Sequence, residues 1–309
     1  MRLRPIEPGA IVDVVAPASA CSKQELRGAI KALRALGLTP RVPRDIFGKS
    51  ILFSNSDEKR LKQLKKAIYA KDSRLIWCVR GGYGAIRLMP EIRHWPKPRQ
   101  AKILLGYSDI TTLHVYLNQV WKWPTLHGPL LDRLGRGDLK PVERRDLLGL
   151  LYGKKHNVEF KSLKAMNRPA RQERVIRAPV LGGNMTVLQS GLGTPSAFKP
   201  GKYILFFEDI GERPHRVDRM LTQFAQAGWF KNCRAIVLGD FILKESRDRR
   251  QLWNDVFHRF AQATKIPLLK GLPAGHNQKL QRTLPFNTRA ELHLGRHPSL
   301  VVDSGIDAP

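Results

Sequence analysis

A serine at a strand-to-helix junction is the first residue whose surroundings suggest chemistry. The segment "KILLGYSDITTLHVYL" runs from an apolar stretch through Gly106 to Ser108, and apolar residues then recur at helical spacing, at Ile110, Leu113, Leu117 and Val120. Such a turn can expose a serine hydroxyl above the end of a sheet, where the next backbone amide helps to bind an oxyanion. A serine there also suits an N-cap. From the local pattern alone, Ser108 could be either a nucleophile or a helix cap.

A nucleophilic serine needs a base, and the base needs an acid that fixes its tautomer. Of nine histidines, His276 in "GLPAGHNQ" stands out, because it follows the apolar "IPLL" in a loop of small residues. Glu208 in "ILFFEDIGE" emerges from a buried strand, where partial desolvation suits an orienting carboxylate. Asp209 and Glu212 compete for this role, although Glu212 has the character of a first-turn helix residue. These residues make a serine–histidine–acid set possible.

The other histidines have less specific settings. We expect His114, in the helix after Ser108, to be structural, and His127, in "TLHGP", to line a cleft. Five others lie in polar or basic surroundings and are predicted to be surface residues: His94, His156, His215, His258 and His297. His293 falls on the polar face of the alternating strand predicted near the C-terminus.

Two glycine loops could place backbone amides close to a ligand. The first, "RGGYG", covers Arg80 to Gly84 after a predicted strand, and the second, "LGGN", ends at Asn184. Neither is a dinucleotide fingerprint, because the GxGxxG spacing is absent and no acidic residue follows "RGGYG" about 20 positions on. Both loops could equally be ordinary turns.

The charge is strongly basic. The 309 residues contain 54 Lys and Arg against 26 Asp and Glu, a formal net charge of +28. Such a balance attracts polyanions without selecting one. Because the basic residues are spread along the chain rather than gathered in a tail, a solvated basic surface is favoured, and nucleic-acid binding stays open.

The cysteines and the N-terminal residues bear on the cellular compartment of the protein. Three distant cysteines, Cys21, Cys78 and Cys233, form no CxxC pair, which argues against a disulfide framework and against a zinc site. The first twenty residues resemble a secretion signal, but Pro5, Glu7, Pro8 and Asp13 interrupt the apolar run. We therefore expect a first strand over 10–15, a cytoplasmic protein and no membrane association.

The elements that must position these residues alternate between strand and helix in the first half. Amphipathic helices are predicted in "SKQELRGAIKALRALGL" and "SDEKRLKQLKKAIYA", with strands in "RLIWCV" and before Ser108. This alternation predicts an α/β domain with a doubly wound parallel sheet over 1–153. Residues 154–176 show little periodicity and are predicted to be a linker. Residues 177–309 are expected to form a β-rich domain with a helix, ending in a half-exposed strand or hairpin in "TRAELHLGRHPSLVVD".

Taken in order, the motifs closely resemble the LD-carboxypeptidase family of serine peptidases. The resemblance covers nearly the whole chain through "VVAPAS", "RGGYG", "GYSDIT", "HGP", "LGGN", "FFEDIGERPHRVDRML" and "GLPAGH". One departure is "TLPFNTRAELH", where Phe286 and Asn287 replace a leucine-proline-glycine-like turn. Asparagine visits left-handed backbone angles more readily than most residues, so we expect the turn to persist.

The resemblance implies a catalytic triad of Ser108, Glu208 and His276, between the two domains. It further implies an oxyanion hole made by the amide of Asp109 and one from Gly81 or Gly82. The implied reaction is hydrolysis of the bond between an L-centre diamino acid and a terminal D-alanine in murein peptides, during cell-wall recycling. The resemblance implies that the protein forms a homodimer. It implies no metal and no organic cofactor. Arg80 is a candidate for the substrate carboxylate, and Asn184 for a second substrate contact.

Three other functions remain open from the sequence. The same triad could hydrolyse another amide, for example in a peptide–nucleotide antibiotic. A basic protein could bind polyanions without catalysis, and such binding would depend steeply on salt. An ordinary α/β-hydrolase esterase shares the triad order, but Ile110 occupies the position of the second elbow glycine.

Overall fold

The computed structural model describes residues 1–242, 247–277 and 279–309. Its strands, in chain order, are β1 (Ile11–Val15), β2 (Thr39–Arg41), β3 (Ser73–Cys78), β4 (Ile103–Gly106), β5 (Thr125–His127), β6 (Asn157–Phe160), β7 (Lys164–Ala165), β8 (Val175–Arg177), β9 (Val180–Asn184), β10 (Ile204–Ile210), β11 (Ala235–Ile242), β12 (Leu268–Lys270), β13 (Leu284–Phe286), β14 (Ala290–His293) and β15 (Ser299–Asp303).

The α-helices alternate with these strands through most of the described chain. They are α1 (Lys23–Ala35), α2 (Asp57–Tyr69), α3 (Met89–Ile92), α4 (Thr111–Tyr116), α5 (Leu131–Arg136), α6 (Pro141–Leu151), α7 (Met185–Ser190), α8 (Pro214–Gln226) and α9 (Arg247–Ala263). Helix α1 begins at a capping box, which Ser22 and Glu25 form. Its apolar stripe buries Ala29 and Leu33, and Ala29 packs closely against Gly135 of α5.

The first domain is built on a six-stranded sheet in the order β13-β5-β4-β3-β1-β2. Its five strands from the N-terminal half are parallel to one another, and β13 joins the β5 edge antiparallel. One face packs residues such as Leu33 and Leu134, and the other packs Leu64 and Leu113. The doubly wound α/β domain predicted from the sequence is therefore confirmed.

The second domain contains two sheets. In the first, β9, β10, β11 and β12 are parallel, and β7 pairs antiparallel with β12. The second is an antiparallel sheet in the order β6-β15-β14-β8. The predicted terminal hairpin is β14 and β15, and Asn287, just before it, has the expected left-handed backbone with φ 59°.

Two sequence expectations differ from the structure. Residues 154–176, predicted to be a linker, contain β6, β7, the start of β8 and a 3-10 turn at Arg168–Arg171. These strands are too short for periodicity to reveal, and each lies at the edge of a sheet. The helix after Ser108 was expected to bury Val120, but that residue is 53% exposed. A π-helical turn at Leu117–Trp121 changes the helical phase, so Trp121 faces the core instead.

Candidate active site

Ser108 lies immediately beyond the carboxyl end of β4, in a strained turn. Its φ is 64°, in the left-handed region that a residue with a Cβ rarely adopts. A 3-10 turn at Ser108–Ile110 then leads into α4, with Tyr107 at the N-cap position and no side-chain capping hydrogen bond. The helix-cap interpretation of Ser108 is therefore not supported. The side chain lines a cavity of about 540 Å³ between the two domains, and strain of this kind is typical of functional sites.

The "RGGYG" loop approaches Ser108 closely. A Cβ added to Gly81 would lie 2.7 Å from the Ser108 Cβ and 2.9 Å from its Oγ, so only glycine fits there. The loop is fixed by Ser19, whose backbone amide donates to the Gly81 carbonyl at 3.0 Å and whose Oγ accepts from the Tyr83 amide at 3.1 Å. Gly81 and Gly82 both line the cavity beside the serine.

Asp109 follows the serine and is buried. Its Oδ2 accepts a 2.7 Å hydrogen bond from the backbone amide of Ala85 at the end of the glycine loop. Burial raises the pKa of Asp109 to about 6, against the lowering effects of the Ala85 amide and of Arg60. The side chain thus ties the turn that holds Ser108 to the loop that carries Gly81.

Glu208 is fully buried near the carboxyl end of β10 and holds His276. Its Oε2 accepts from the His276 ring Nδ1 at 2.6 Å and from the His276 backbone amide at 3.1 Å. Gly275, with φ 78°, makes this contact possible, because a Cβ there would lie 2.5–2.6 Å from the carboxylate. With Nδ1 bound to the acid, Nε2 is the ring nitrogen left to accept a proton.

The protonation of His276 reflects opposing influences. Burial lowers its pKa, but the charge and hydrogen bond of Glu208 raise it, and the net result is a pKa above the ordinary histidine value. The ring of Tyr107 packs edge-on against the imidazole, with ring centroids 4.7 Å apart. His276 lines the same cavity as Ser108, and Glu208 lies behind it.

The two competing acids have other partners. Asp209 accepts from the Asn184 side chain at 3.0 Å and from the amide and hydroxyl of Thr186, both at 2.8 Å. Burial, with the neighbouring Glu208, raises its pKa to about 6. Glu212 precedes α8 rather than lying in its first turn, and it pairs with Arg216 at 3.3 Å. Neither acid is bonded to His276.

The candidate substrate contacts also line the cavity. Asn184 lies there, but its Oδ1 accepts from the Val187 amide at 3.1 Å as the N-cap of α7, while its amide group donates to Asp209. Arg80 lies on the opposite wall with its Nη1 3.5 Å from Asp132.

Sequence reasoning missed two further arginines on that wall. Arg133 and Arg136 on α5 line the cavity, and Arg136 is paired with Asp132 at 3.2 Å. Their spacing of three predicts that both lie on one face of the helix. Nothing in the neighbouring sequence indicates that this face lines the cavity.

Two of the remaining sequence candidates can be assigned from their surroundings. His127 was predicted to line a cleft, which is wrong: it is completely buried, packed between Tyr107 and Phe286, and absent from the cavity wall. Its pKa is held well below the ordinary value, chiefly by burial. His114 has the expected structural role, because its ring nitrogens contact Thr125 Oγ1 and the Gly106 carbonyl at 2.8 and 2.9 Å.

Other reactive groups are few in the part of the chain that the structure describes. The three cysteines are unpaired, and burial raises the pKa of Cys21 and Cys233 to about 12, which keeps them as thiols. Residues 1–242, 247–277 and 279–309 contain no group of three or more His, Cys, Asp or Glu placed to hold a metal ion. Within the same residues, no helix is both long and apolar enough to cross a membrane.

A serine on a strained turn, a histidine held by a buried carboxylate and glycine amides at one interdomain cavity are the components of a serine hydrolase. Comparison with known proteins gives the family. Residues 12–128 match the LD-carboxypeptidase N-terminal domain, and residues 177–292 match the C-terminal domain. The chain belongs to the LD-carboxypeptidase family of serine peptidases.

Individual relatives support this assignment across almost the full length. A Rickettsia conorii protein assigned as a carboxypeptidase is 32% identical over 94% of this chain and 90% of its own. The murein tetrapeptide carboxypeptidase of Pseudomonas aeruginosa is 29% identical, with 92% and 94% covered. The crystal structure of muramoyltetrapeptide carboxypeptidase from Oxalobacter formigenes superimposes with a TM-score of 0.83 at 27% identity, covering 97% of this chain and 100% of that one.

Proposed function

We propose that this serine peptidase removes the terminal D-alanine from murein tetrapeptides, cleaving the amide bond to an L-centre diamino acid during cell-wall recycling in the cytoplasm. The observation that carries the proposal is the placement of Ser108, on a left-handed turn, in the same cavity as a histidine bound to a buried carboxylate. The names of the relatives support the murein substrate.

In the first step His276 accepts the proton of Ser108 at Nε2, and Oγ attacks the carbonyl of the scissile amide. The developing oxyanion receives hydrogen bonds from the amide of Asp109 and from an amide of Gly81 or Gly82. Glu208 stabilises the imidazolium that forms, and the raised pKa of His276 supports this role.

Protonated His276 then gives its proton to the amino group of the departing D-alanine, which leaves an acyl-enzyme on Ser108. Water attacks this ester with His276 again as the base, and the shortened peptide is released. No metal or organic cofactor takes part in these steps.

A carboxypeptidase must also bind the carboxylate of the residue that it removes. Arg80 is our first candidate, and Arg133 and Arg136 on the same wall extend the positive surface. Asn184, on the wall from the second domain, is our candidate for a second substrate contact. A homodimer is expected from the family resemblance, and light scattering tests it.

The direct test is mass spectrometry of murein tetrapeptide and pentapeptide after incubation with the wild type and with Ser108→Ala. We expect loss of one D-alanine from the tetrapeptide only, and none with the variant. A folded wild-type protein that cleaves neither peptide would contradict the proposal and favour another amide substrate. Salt-dependent retention on nucleic acid by both proteins would then favour polyanion binding.

A further inference from the structure

The two walls of the cavity carry opposite charges. The wall from the first domain contains three arginines, Arg80, Arg133 and Arg136, against two acids. Asp132 is paired with Arg80 and Arg136, and Asp109 accepts from the Ala85 amide, so the arginines give this wall its positive excess. The facing wall from the second domain contains Asp209 and Glu212, and the described residues that line it include no lysine or arginine. A cavity with this division favours a ligand that has both a negative and a positive group.

On the acidic wall, Glu212 is the carboxylate left available to a ligand. The oxygens of Asp209 accept from Asn184, Thr186 and the Ile210 amide, which hold them inside the protein. The Glu212 side chain is only 14% exposed, and its buried Oε2 has no hydrogen-bond donor among the described residues. A buried carboxylate oxygen without a donor is unfavourable, so a cationic donor from a ligand would stabilise it.

The nearby Arg216 does not satisfy Glu212. Its Nη1 lies 3.3 Å from Oε2 without forming a hydrogen bond, and the arginine side chain is 57% exposed. Water screens the exposed arginine and weakens this ion pair. Glu212 therefore keeps most of its capacity to bind a cation inside the cavity.

An apolar surface also lines the cavity that Ser108 and Glu212 share. Ile210 is 46% exposed although it ends a strand that is otherwise buried, and it lines the cavity with Ile86 and Val187. Exposed isoleucine beside a carboxylate suits an aliphatic chain that ends in a charged group.

We infer that Glu212 binds the side-chain ammonium of the substrate's diamino acid, with the methylene groups packed on Ile210. The inference rests on the proposed function, because it assigns a specificity role within that same cavity. It implies that the enzyme selects peptides by the free ammonium as well as by the terminal carboxylate. The arginine wall binds the carboxylates, and Glu212 fixes the direction in which the side chain lies.

The test compares two tetrapeptides that differ only in this ammonium. One contains diaminopimelate at the third position, and the other contains 2-aminopimelate, in which hydrogen replaces the distal ammonium. For the wild type we expect kcat/KM to be about tenfold or more higher for the first peptide, the range of a charge-assisted hydrogen bond. In Glu212→Gln this ratio should fall toward one. Glu291→Gln is the control, because Glu291 is a partly exposed residue of β14 that does not line the cavity, and its ratio should not change.

The outcomes separate this inference from the proposed function. Equal cleavage of both peptides by the wild type would overturn the ammonium site and leave the carboxypeptidase intact. Cleavage of neither peptide would overturn the proposed function itself. If Glu212→Gln does not fold, Glu212→Asp serves instead: a ratio between those of the wild type and one supports the site, and an unchanged ratio contradicts it.

Discussion

The Oε2 atom of Glu208 accepts two hydrogen bonds from His276, one from the ring and one from the backbone amide. The acid therefore fixes both the tautomer of the imidazole and the position of the main chain that carries it. This double contact explains why Gly275 precedes the histidine, since a side chain there would collide with the carboxylate. The charge of Glu208 can therefore be tested apart from its positioning role, because a glutamine at this position could keep part of the hydrogen-bond geometry without the charge.

Glu208→Gln should shift the pH profile as well as reduce the rate. The carboxylate raises the pKa of His276 against the lowering effect of burial. Removing its charge should lower that pKa, so the acidic limb of kcat/KM should move to lower pH. The plateau of kcat should fall by on the order of 10²- to 10⁴-fold. A pH–rate profile measures both, with Glu291→Gln, a partly exposed residue outside the cavity, as the control. An acidic limb that stays in place would show that Glu208 does not set the protonation of the base.

Ser108→Gly should abolish turnover and stabilise the fold. Glycine removes the nucleophile and also relieves the left-handed strain, which costs roughly 1–2 kcal/mol for a residue with a Cβ. Ser162, an exposed serine with φ 65°, provides the matched control. Ser162→Gly should stabilise by a similar amount and keep full activity. Thermal unfolding and peptide hydrolysis distinguish the two variants, and an unchanged midpoint for Ser108→Gly would argue against strain at the turn.

Gly81→Ala should reduce kcat without a comparable loss of folding. The added methyl would lie 2.7 Å from the Ser108 Cβ, so the serine or the loop must move. We expect kcat to fall about a hundredfold or more, in the range seen when an oxyanion donor is lost. Gly191→Ala is the control, because its Cβ would meet its nearest neighbour at an ordinary 3.4 Å. Equal activity of both variants would show that the glycine loop has no part in catalysis.

Asp109→Asn should change how stability depends on pH. Burial raises the folded-state pKa of Asp109 to about 6 from 3.8, so the ionised form is less favourable in the folded protein. Its contribution to the free energy of unfolding is therefore lost as the pH rises from about 4 to about 6. Asparagine keeps an acceptor for the Ala85 amide and removes this slope. Urea unfolding at several pH values tests the prediction.

Asp109→Ala is the informative companion variant. It leaves the buried Ala85 amide without an acceptor, which should cost about 1–3 kcal/mol of unfolding free energy. Because that amide anchors the glycine loop, kcat should fall as well. An alanine variant as stable and as active as the asparagine variant would mean that this hydrogen bond does not position the loop.

Local pattern was enough to predict much of this molecule. Local pattern marked Ser108, Glu208 and His276 as candidates, and the family resemblance joined them as a triad. Glu208 on β10 and His276 after β12 belong to one parallel sheet, whereas Ser108 follows β4 of the other sheet, so the meeting of all three depends on how the two domains pack. The arginines on α5 could not be found this way, because their role depends on where a helix packs and not on their neighbours in sequence. The exposed Val120 was missed because a π-helical turn has no clear sequence signal. The strands in residues 154–176 were missed because they are too short.

The strand β13 has a consequence for the order in which the protein is made. It belongs by sequence to the second half, yet it completes the sheet of the first by pairing with β5. During synthesis on a ribosome, the β5 edge of the first sheet stays unpaired until residues 284–286 have emerged. The two halves are therefore poorly suited to separate expression, and the segment that delivers His276 is also the one that closes the sheet carrying Ser108. Assembly of the fold and assembly of the candidate active site are one late event.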